Sequence, residues 1–224
     1  MATAAYKDLC IDAVDAHRLG RFWAAALGLD LGPEPDDGRA ADLSGSTAQH
    51  SVWMNPVPEP KTVKHRVHLD VHAASVDEHV ALGATVLDAG SFRWTVMADP
   101  EGGEYCLFVR DDPPAYRLYE LAVDAVDAPA IGGWWAGVLG ARIEHDDEGF
   151  PALVEIPGAP FEAIVFAPVP EPKSVKNRIH VDVTTDDLDA LVASGARLLR
   201  PRDDEIAWNV MADPEGNEFC AFVG

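Results

Sequence analysis

The sequence predicts an α+β protein made of two tandem copies of one domain, each copy holding the order βαβββ twice. Three observations carry this. The stretch Val57–Val71 returns as Val169–Val183, and both open on Val-Pro-Glu-Pro-Lys. Val96–Gly102 returns unchanged as Val210–Gly216. Within each copy, alternating apolar residues give way to apolar residues at helical spacing and back again, twice. The copies span 1–110 and 116–224, separated by a linker over 111–115 that opens on Asp111-Asp112-Pro113-Pro114. Two copies of so long a period make two domains rather than a solenoid.

The elements follow in order. Leu9, Ile11 and Ala13 alternate with Asp8, Cys10 and Asp12, which predicts a strand over 6–14. Asp15 is placed to cap a helix whose stripe is Leu19, Phe22, Trp23, Ala26 and Leu27, with Gly28 ending it. A loop over 33–38 precedes short strands over 40–43 and 51–54. The Pro-rich stretch after them cannot be helix or central strand, because proline fixes φ and lacks an N–H. A strand over 66–71 follows, then a helix opened by the capping-box spacing of Ser75 and Glu78 and stopped by Gly83. Strands over 85–87 and 93–96, an Asp99-Pro100-Glu101-Gly102 turn and a strand over 104–109 complete the copy. In the second copy Trp134-Trp135 and Leu139-Gly140 stand where Phe22-Trp23 and Leu27-Gly28 stood.

Composition narrows the function. A formal charge of −21 over 224 residues argues against partners that are nucleic acids or anionic membranes, and the spread of that charge reads as a solubility device. No apolar run approaches the ~20 residues that span a bilayer, and the N-terminus has no signal-peptide pattern. Three cysteines without a CxxC pair read as free thiols of a cytoplasmic protein.

The chemistry concentrates on one strand face. Val67, Leu69 and Val71 point one way, and Arg66, His68 and Asp70 the other; Arg178, His180 and Asp182 repeat the pattern. Arg66 and Arg178 are candidates to grip an oxyanion of a ligand, or else to pair with Asp70, Asp182, Asp8 or Glu120. His68 and His180 are candidate bases or hydrogen-bonded structural residues. Asp8 and Glu120 are candidate carboxylate bases. Cys106 and Cys220 recur at one strand position, as packing residues, nucleophiles or ligands. Trp53, Trp94 and Trp208 are candidate walls for a flat ligand, or else core. Lys61 and Lys173 ride on loops that serve as lids or plain connectors.

The strand–helix opening through Phe22-Trp23 and Leu27-Gly28, the Pro-Glu-Pro-Lys…Arg-Val-His-Leu-Asp stretch and the Asp-Pro-Glu-Gly turn, each present twice and in order, resemble the vicinal oxygen chelate superfamily. This is the superfamily of glyoxalase I, bleomycin-resistance proteins and extradiol dioxygenases, and the sequence looks most like its glyoxalase-like domain branch. The resemblance implies paired βαβββ modules whose mixed sheets curl into cups. It also implies that each cup holds a divalent metal or binds a small molecule without one. Carried over, the family's ligand places fall on Asp8 and Glu120, on Arg66 and Arg178 with His68 and His180 two residues on, and on Cys106 and Cys220. Arginine cannot ligate a metal, so the expectation is no stoichiometric metal and no other cofactor. The weaker alternative is a site of Asp8, His68 and Cys106, with Glu120, His180 and Cys220 as counterparts. The expected function is binding of a small anionic or enolisable molecule, with lyase- or isomerase-type acid–base chemistry if the protein is an enzyme. A metal-dependent enzyme and an antibiotic- or metabolite-sequestering protein are the alternatives. The duplication is expected to replace a dimer within a monomer, or to build a homodimer.

Overall fold

The computed structural model describes residues 2–33, 39–146 and 149–224. Four βαβββ modules follow one another. The first is β1 (Ala5–Ala13), α1 (Ala16–Leu27), β2 (Asp30–Leu31), β3 (Ala41–Ser44) and β4 (Ser51–Pro56). The second is β5 (Val67–Ala73), α2 (Val76–Leu82), β6 (Thr85–Asp88), β7 (Thr95–Ala98) and β8 (Glu104–Val109). The third is β9 (Leu118–Ala125), α3 (Ala128–Leu139), β10 (Arg142–His145), β11 (Pro151–Val154) and β12 (Ala163–Pro168). The fourth is β13 (Ile179–Thr185), α4 (Leu188–Ala193), β14 (Arg197–Arg200), β15 (Asn209–Ala212) and β16 (Glu218–Val223). The α+β class and its module order are as the sequence predicts. The short β2 is additional, β7 begins two residues later than expected, and the loop expected over 33–38 lies, from residue 34 on, outside the described residues.

Local chemistry explains the element ends. The carboxylate of Asp15 accepts from the Arg18 amide and that of Asp127 from the Ala130 amide, each satisfying an orphan donor of a first helical turn. Gly28 closes α1 at φ 70°, and a Cβ there would lie 2.0 Å from the Ala115 carbonyl oxygen, so no side chain fits. In the Asp-Pro-Glu-Gly turns, Asp99 accepts from the amides of Glu101 and Gly103, and Asp213 from those of Glu215 and Asn217.

The strands assort into two mixed eight-stranded sheets, ordered β14-β15-β16-β13-β1-β4-β3-β2 and β10-β11-β12-β9-β5-β8-β7-β6. Each sheet therefore takes one module from each half of the chain. The first joins modules one and four through antiparallel β1 and β13; the second joins modules two and three through antiparallel β5 and β9. This corrects the expectation that each half closes a cup of its own. The apolar faces of both sheets and the helices share one core. It includes Val67, Leu69 and Val71 with Phe22 and Trp23, while Leu82, the last residue of α2, is exposed. Trp23 packs edge-on against Tyr105 and Trp135 against Phe219, which ties each of the two long helices to the last strand of its own half. Among the described residues no helix is long and apolar enough to cross a membrane.

Candidate functional site

The strand register decides which polar residues meet. On the second sheet Asp70 lies directly opposite Glu120, and His68 opposite Ala122. Cys106 stands beside Asp70 on β8. On the first sheet Asp8 lies opposite Asp182, Cys10 opposite His180, and Cys220 beside Asp182. The expected grouping of Asp8 with His68 and Cys106 is thus corrected. Glu120 joins His68, Asp70 and Cys106, whereas Asp8 joins His180, Asp182 and Cys220. β1 pairs with β13, not with β5, so Asp8 and His68 sit in different sheets.

The cup of the second sheet is a cavity of about 930 Å³, within the range typical of small-molecule sites. Its floor is polar. His68 Nε2 is 3.4 Å from Asp70 Oδ1. Burial, with the positive charge of Lys64, lowers the His68 pKa to about 4, so the imidazole is neutral at neutral pH. Burial raises Asp70 well above the usual carboxylate range, and the adjacent Glu120 charge adds to it. Burial also raises Glu120 to about 7, against the hydrogen bond it receives from Asp70. Two opposed, hydrogen-bonded carboxyls here share a proton, because adjacent like charges in a poorly solvated place do not both ionise. The Cys106 thiol is pushed up by burial and by Asp70, which keeps it a neutral thiol. The walls are aromatic. Phe92, Trp94 and Tyr119 line the cavity; Trp94 stacks on Phe92 with ring centroids 5.1 Å apart, and Phe108 packs against Trp94 at 5.5 Å and edge-on against Tyr119 at 5.3 Å. Of the sequence candidates, His68, Asp70, Cys106, Glu120 and Trp94 meet here.

The cup of the first sheet carries a different set. Lys7 lies 2.5 Å from Asp8 and 4.2 Å from the centre of the Phe222 ring, so its charge fills space that Tyr119 occupies in the other cup. Trp53 Nε1 donates to Asp8 at 3.2 Å. Burial still raises the Asp8 pKa, opposed by Lys7 and aided by Asp182. Trp208 packs on Phe222 at 5.7 Å. Cys10 donates to Asp182 at 3.5 Å, and Cys220 Sγ lies 3.4 Å from His180 Nε2.

Arg66 and Arg178 enter neither cup. Arg66 donates to the Glu171 carbonyl at 2.8 Å and the Asp124 carbonyl at 2.9 Å, with Glu215 at 3.9 Å. Arg178 donates to the carbonyls of Glu59 and Asp12 at 2.8 and 3.1 Å, with Glu101 at 3.5 Å. Glu101 in turn accepts from the amides of Val14 and Asp15, and Glu215 from those of Val126 and Asp127. The repeated Pro-Glu-Pro-Lys, Arg and Asp-Pro-Glu-Gly pieces therefore brace one half of the chain against the other. The reason is the strand boundary: β5 begins at Val67 and β13 at Ile179, so each arginine precedes the alternating segment. Lys61 and Lys173 are tied to Glu104 and Glu218 at 2.7 Å each.

The glyoxalase-like domain model matches residues 8–108 and again 120–222. The chain belongs to the glyoxalase-like domain family, within the vicinal oxygen chelate superfamily. Among solved structures it is similar to glyoxalase I from Zea mays, with a TM-score of 0.71 at 13% identity over 98% of this chain and 92% of that one. It is similar also to a putative dioxygenase from Bacillus subtilis, with a TM-score of 0.65 at 11% identity over 98% and 85%. The cppA protein from Streptococcus pneumoniae matches with a TM-score of 0.53 at 9% identity over 97% of both chains. At these identities the likeness is one of fold. Among curated proteins none matches.

For a glyoxalase-like protein the group to test against the cups is a divalent metal. In the Glu120 cup His68, Asp70 and Cys106 bring donor atoms within 4.8 Å of one another. Asp70 is committed to the proton it shares with Glu120, and Ala122 leaves that set with a single thiol, so the cup fits a metal poorly. The argument from arginine at a ligand place falls, since Arg66 and Arg178 lie elsewhere. Sequence reasoning missed Cys10, Lys7, Tyr119, Phe92 and Phe108. Cys10 alternates with Leu9 and Ile11 on the Asp8 face, and that pattern was its available signal.

Proposed function

We propose that this glyoxalase-like protein binds a small, flat organic molecule in the Glu120 cup and moves a proton on it without a metal. The carrying observation is a pair of opposed carboxyls, Asp70 and Glu120, on the floor of an aromatic-walled cavity of about 930 Å³. A group with a pKa near 7 is poised to take and return a proton at neutral pH. Glu120 is that group. Asp70, protonated, supplies a donor to an oxygen on which negative charge develops, and neutral His68 offers a second acceptor. Phe92, Trp94 and Tyr119, which line the cavity, hold the ring of the ligand in place. Arg66 and Arg178 are turned away and Lys64 lies 2.5 Å from Asp124, but Arg93, 5.8 Å from the centre of the Trp94 ring, lines the cup, which suits an enolisable molecule whose oxygen carries or develops negative charge. The chemistry is then of the isomerase or lyase type.

The test is isotope exchange. Candidate carbonyl compounds that quench the fluorescence of Trp94 are incubated with the protein in deuterated buffer after treatment with a chelator. Incorporation of deuterium next to the carbonyl by the wild type, and its loss in Glu120→Gln, is the expected result. Binding without exchange overturns the proton-transfer reading in favour of sequestration, which the stacked aromatic wall serves equally well. Exchange abolished by the chelator overturns the metal-free reading.

A further inference from the structure

The Glu120 cup carries a charge that the repeat does not anticipate. Arg93 stands just before Trp94, and the matching place before Trp208 in the other half holds Ala207. Phe92 and Arg93 are exposed residues between β6 and β7, and both line the cavity, which places them at its rim. The guanidinium lies 5.8 Å from the centre of the Trp94 ring, so it stands beside the aromatic wall. Its charge still reaches the floor: burial raises the Glu120 pKa, and Arg93 works against that rise. In the other cup the cation is Lys7, which comes from strand β1 and not from a loop.

The other charges of the cavity are committed. Lys64, the second cation among the described lining residues, lies 2.5 Å from Asp124, and Glu104 lies 2.7 Å from Lys61. Asp88 accepts from the amides of Gly90 and Ser91, and Asp146 from that of Phe150. On the floor Asp70 and Glu120 share one proton, so one negative charge is already held there. A permanent anion on that floor would set like charges side by side in a poorly solvated place and is disfavoured. An enolisable carbonyl is not. As Glu120 takes a proton from the carbon next to it, the C–H bond breaks, the O–H bond forms on Glu120, and the electron pair ends on the carbonyl oxygen, with no net charge added. A permanent carboxylate therefore has its place at the rim, beside Arg93.

We infer that Arg93 selects a planar molecule with two unlike ends: a carboxylate held at the rim, and an enolisable carbonyl that reaches the Asp70 and Glu120 floor. The class is an aromatic or conjugated keto acid whose carboxylate and carbonyl lie at opposite ends of the flat part. The fork of a guanidinium matches a carboxylate with paired N–H bonds, and Trp94 beside it carries the ring. The inference rests on the proton-transfer reading of the same cup and names the kind of molecule that cup takes.

The probes are para-acetylbenzoate and its uncharged methyl ester, which share the ring and the acetyl group. Isothermal titration reads binding; deuterium uptake into the acetyl methyl group in deuterated buffer reads proton transfer. Wild type is expected to bind the acid about tenfold tighter than the ester, the worth of one charge-assisted pair. Arg93→Gln should bind the two about equally, through a roughly tenfold loss for the acid alone. Unchanged ester binding shows that the variant cup is folded. Arg93→Lys, which keeps the charge and loses the fork, should fall between. A wild type that binds the ester as tightly as the acid, or binds neither, overturns the inference, and so does a preference for the acid that survives Arg93→Gln. A preference lost in Arg93→Gln without deuterium uptake by the wild type upholds the carboxylate recognition and brings down the proton-transfer reading instead.

Discussion

Replacing Glu120 by Gln should change the way stability depends on pH. In the folded protein burial raises the Glu120 pKa from 4.5 to about 7. Between those values the folded state holds a proton that the unfolded chain releases. The stabilisation from that proton is fully present below pH 4.5 and is lost as pH rises through about 7. Each tenfold in proton affinity is worth about 1.4 kcal/mol, so the full window amounts to roughly 3 kcal/mol. Partial solvent access to this side chain trims the figure to about 2–3 kcal/mol. Glutamine keeps the shape and an acceptor for the Asp70 proton but cannot ionise. Urea unfolding of both proteins at pH 5, 6, 7 and 8 measures the difference directly. The stability of Glu120→Gln relative to wild type should rise by about 2–3 kcal/mol from pH 5 to pH 8. A difference that stays flat over that range would mean Glu120 titrates normally, and the shared-proton account of the cup would fail with it.

Three further outcomes follow from the same geometry. Lys7→Met leaves the buried Asp8 without its ammonium partner and should cost about 1–3 kcal/mol at pH 7. The loss should shrink as pH falls and Asp8 takes up its proton, as denaturation across pH 3 to pH 7 would show. Arg66→Ala and Arg178→Ala each remove two charge-assisted bonds to the opposite half and should destabilise the protein by about 2–4 kcal/mol. Ligand affinity in the Glu120 cup, read by tryptophan fluorescence in the folded fraction, should barely move; a stable variant with weakened binding would restore the ligand-gripping role for these arginines. Trp94→Ala should weaken ligand binding by about 1 kcal/mol, roughly fivefold, through loss of the stacked wall, and isothermal titration would measure it.

Much of this protein is legible without its tertiary structure. Period-two alternation, capping residues and turn glycines are local, so Asp15, Ser75, Gly28 and the Asp-Pro-Glu-Gly turns mark the elements. The repeat shows the duplication, and the polar faces of β1, β5, β9 and β13 name most residues of the cups. What the sequence leaves open is which polar face meets which. The modules of the two halves are near copies, so β1 offers the same apolar edge to β5 as to β13, and local pattern does not choose between them. Packing chooses. The two long helices dock on the last strands of their own halves through Trp23 with Tyr105 and Trp135 with Phe219. The arginines bridge to the carbonyls of the opposite loop. Together these hold module one against module four and module two against module three. That exchange puts Glu120 with Asp70 and Cys10 with His180. Both pairs exist only through the strand register, because strand pairing joins residues that local sequence pattern never brings together.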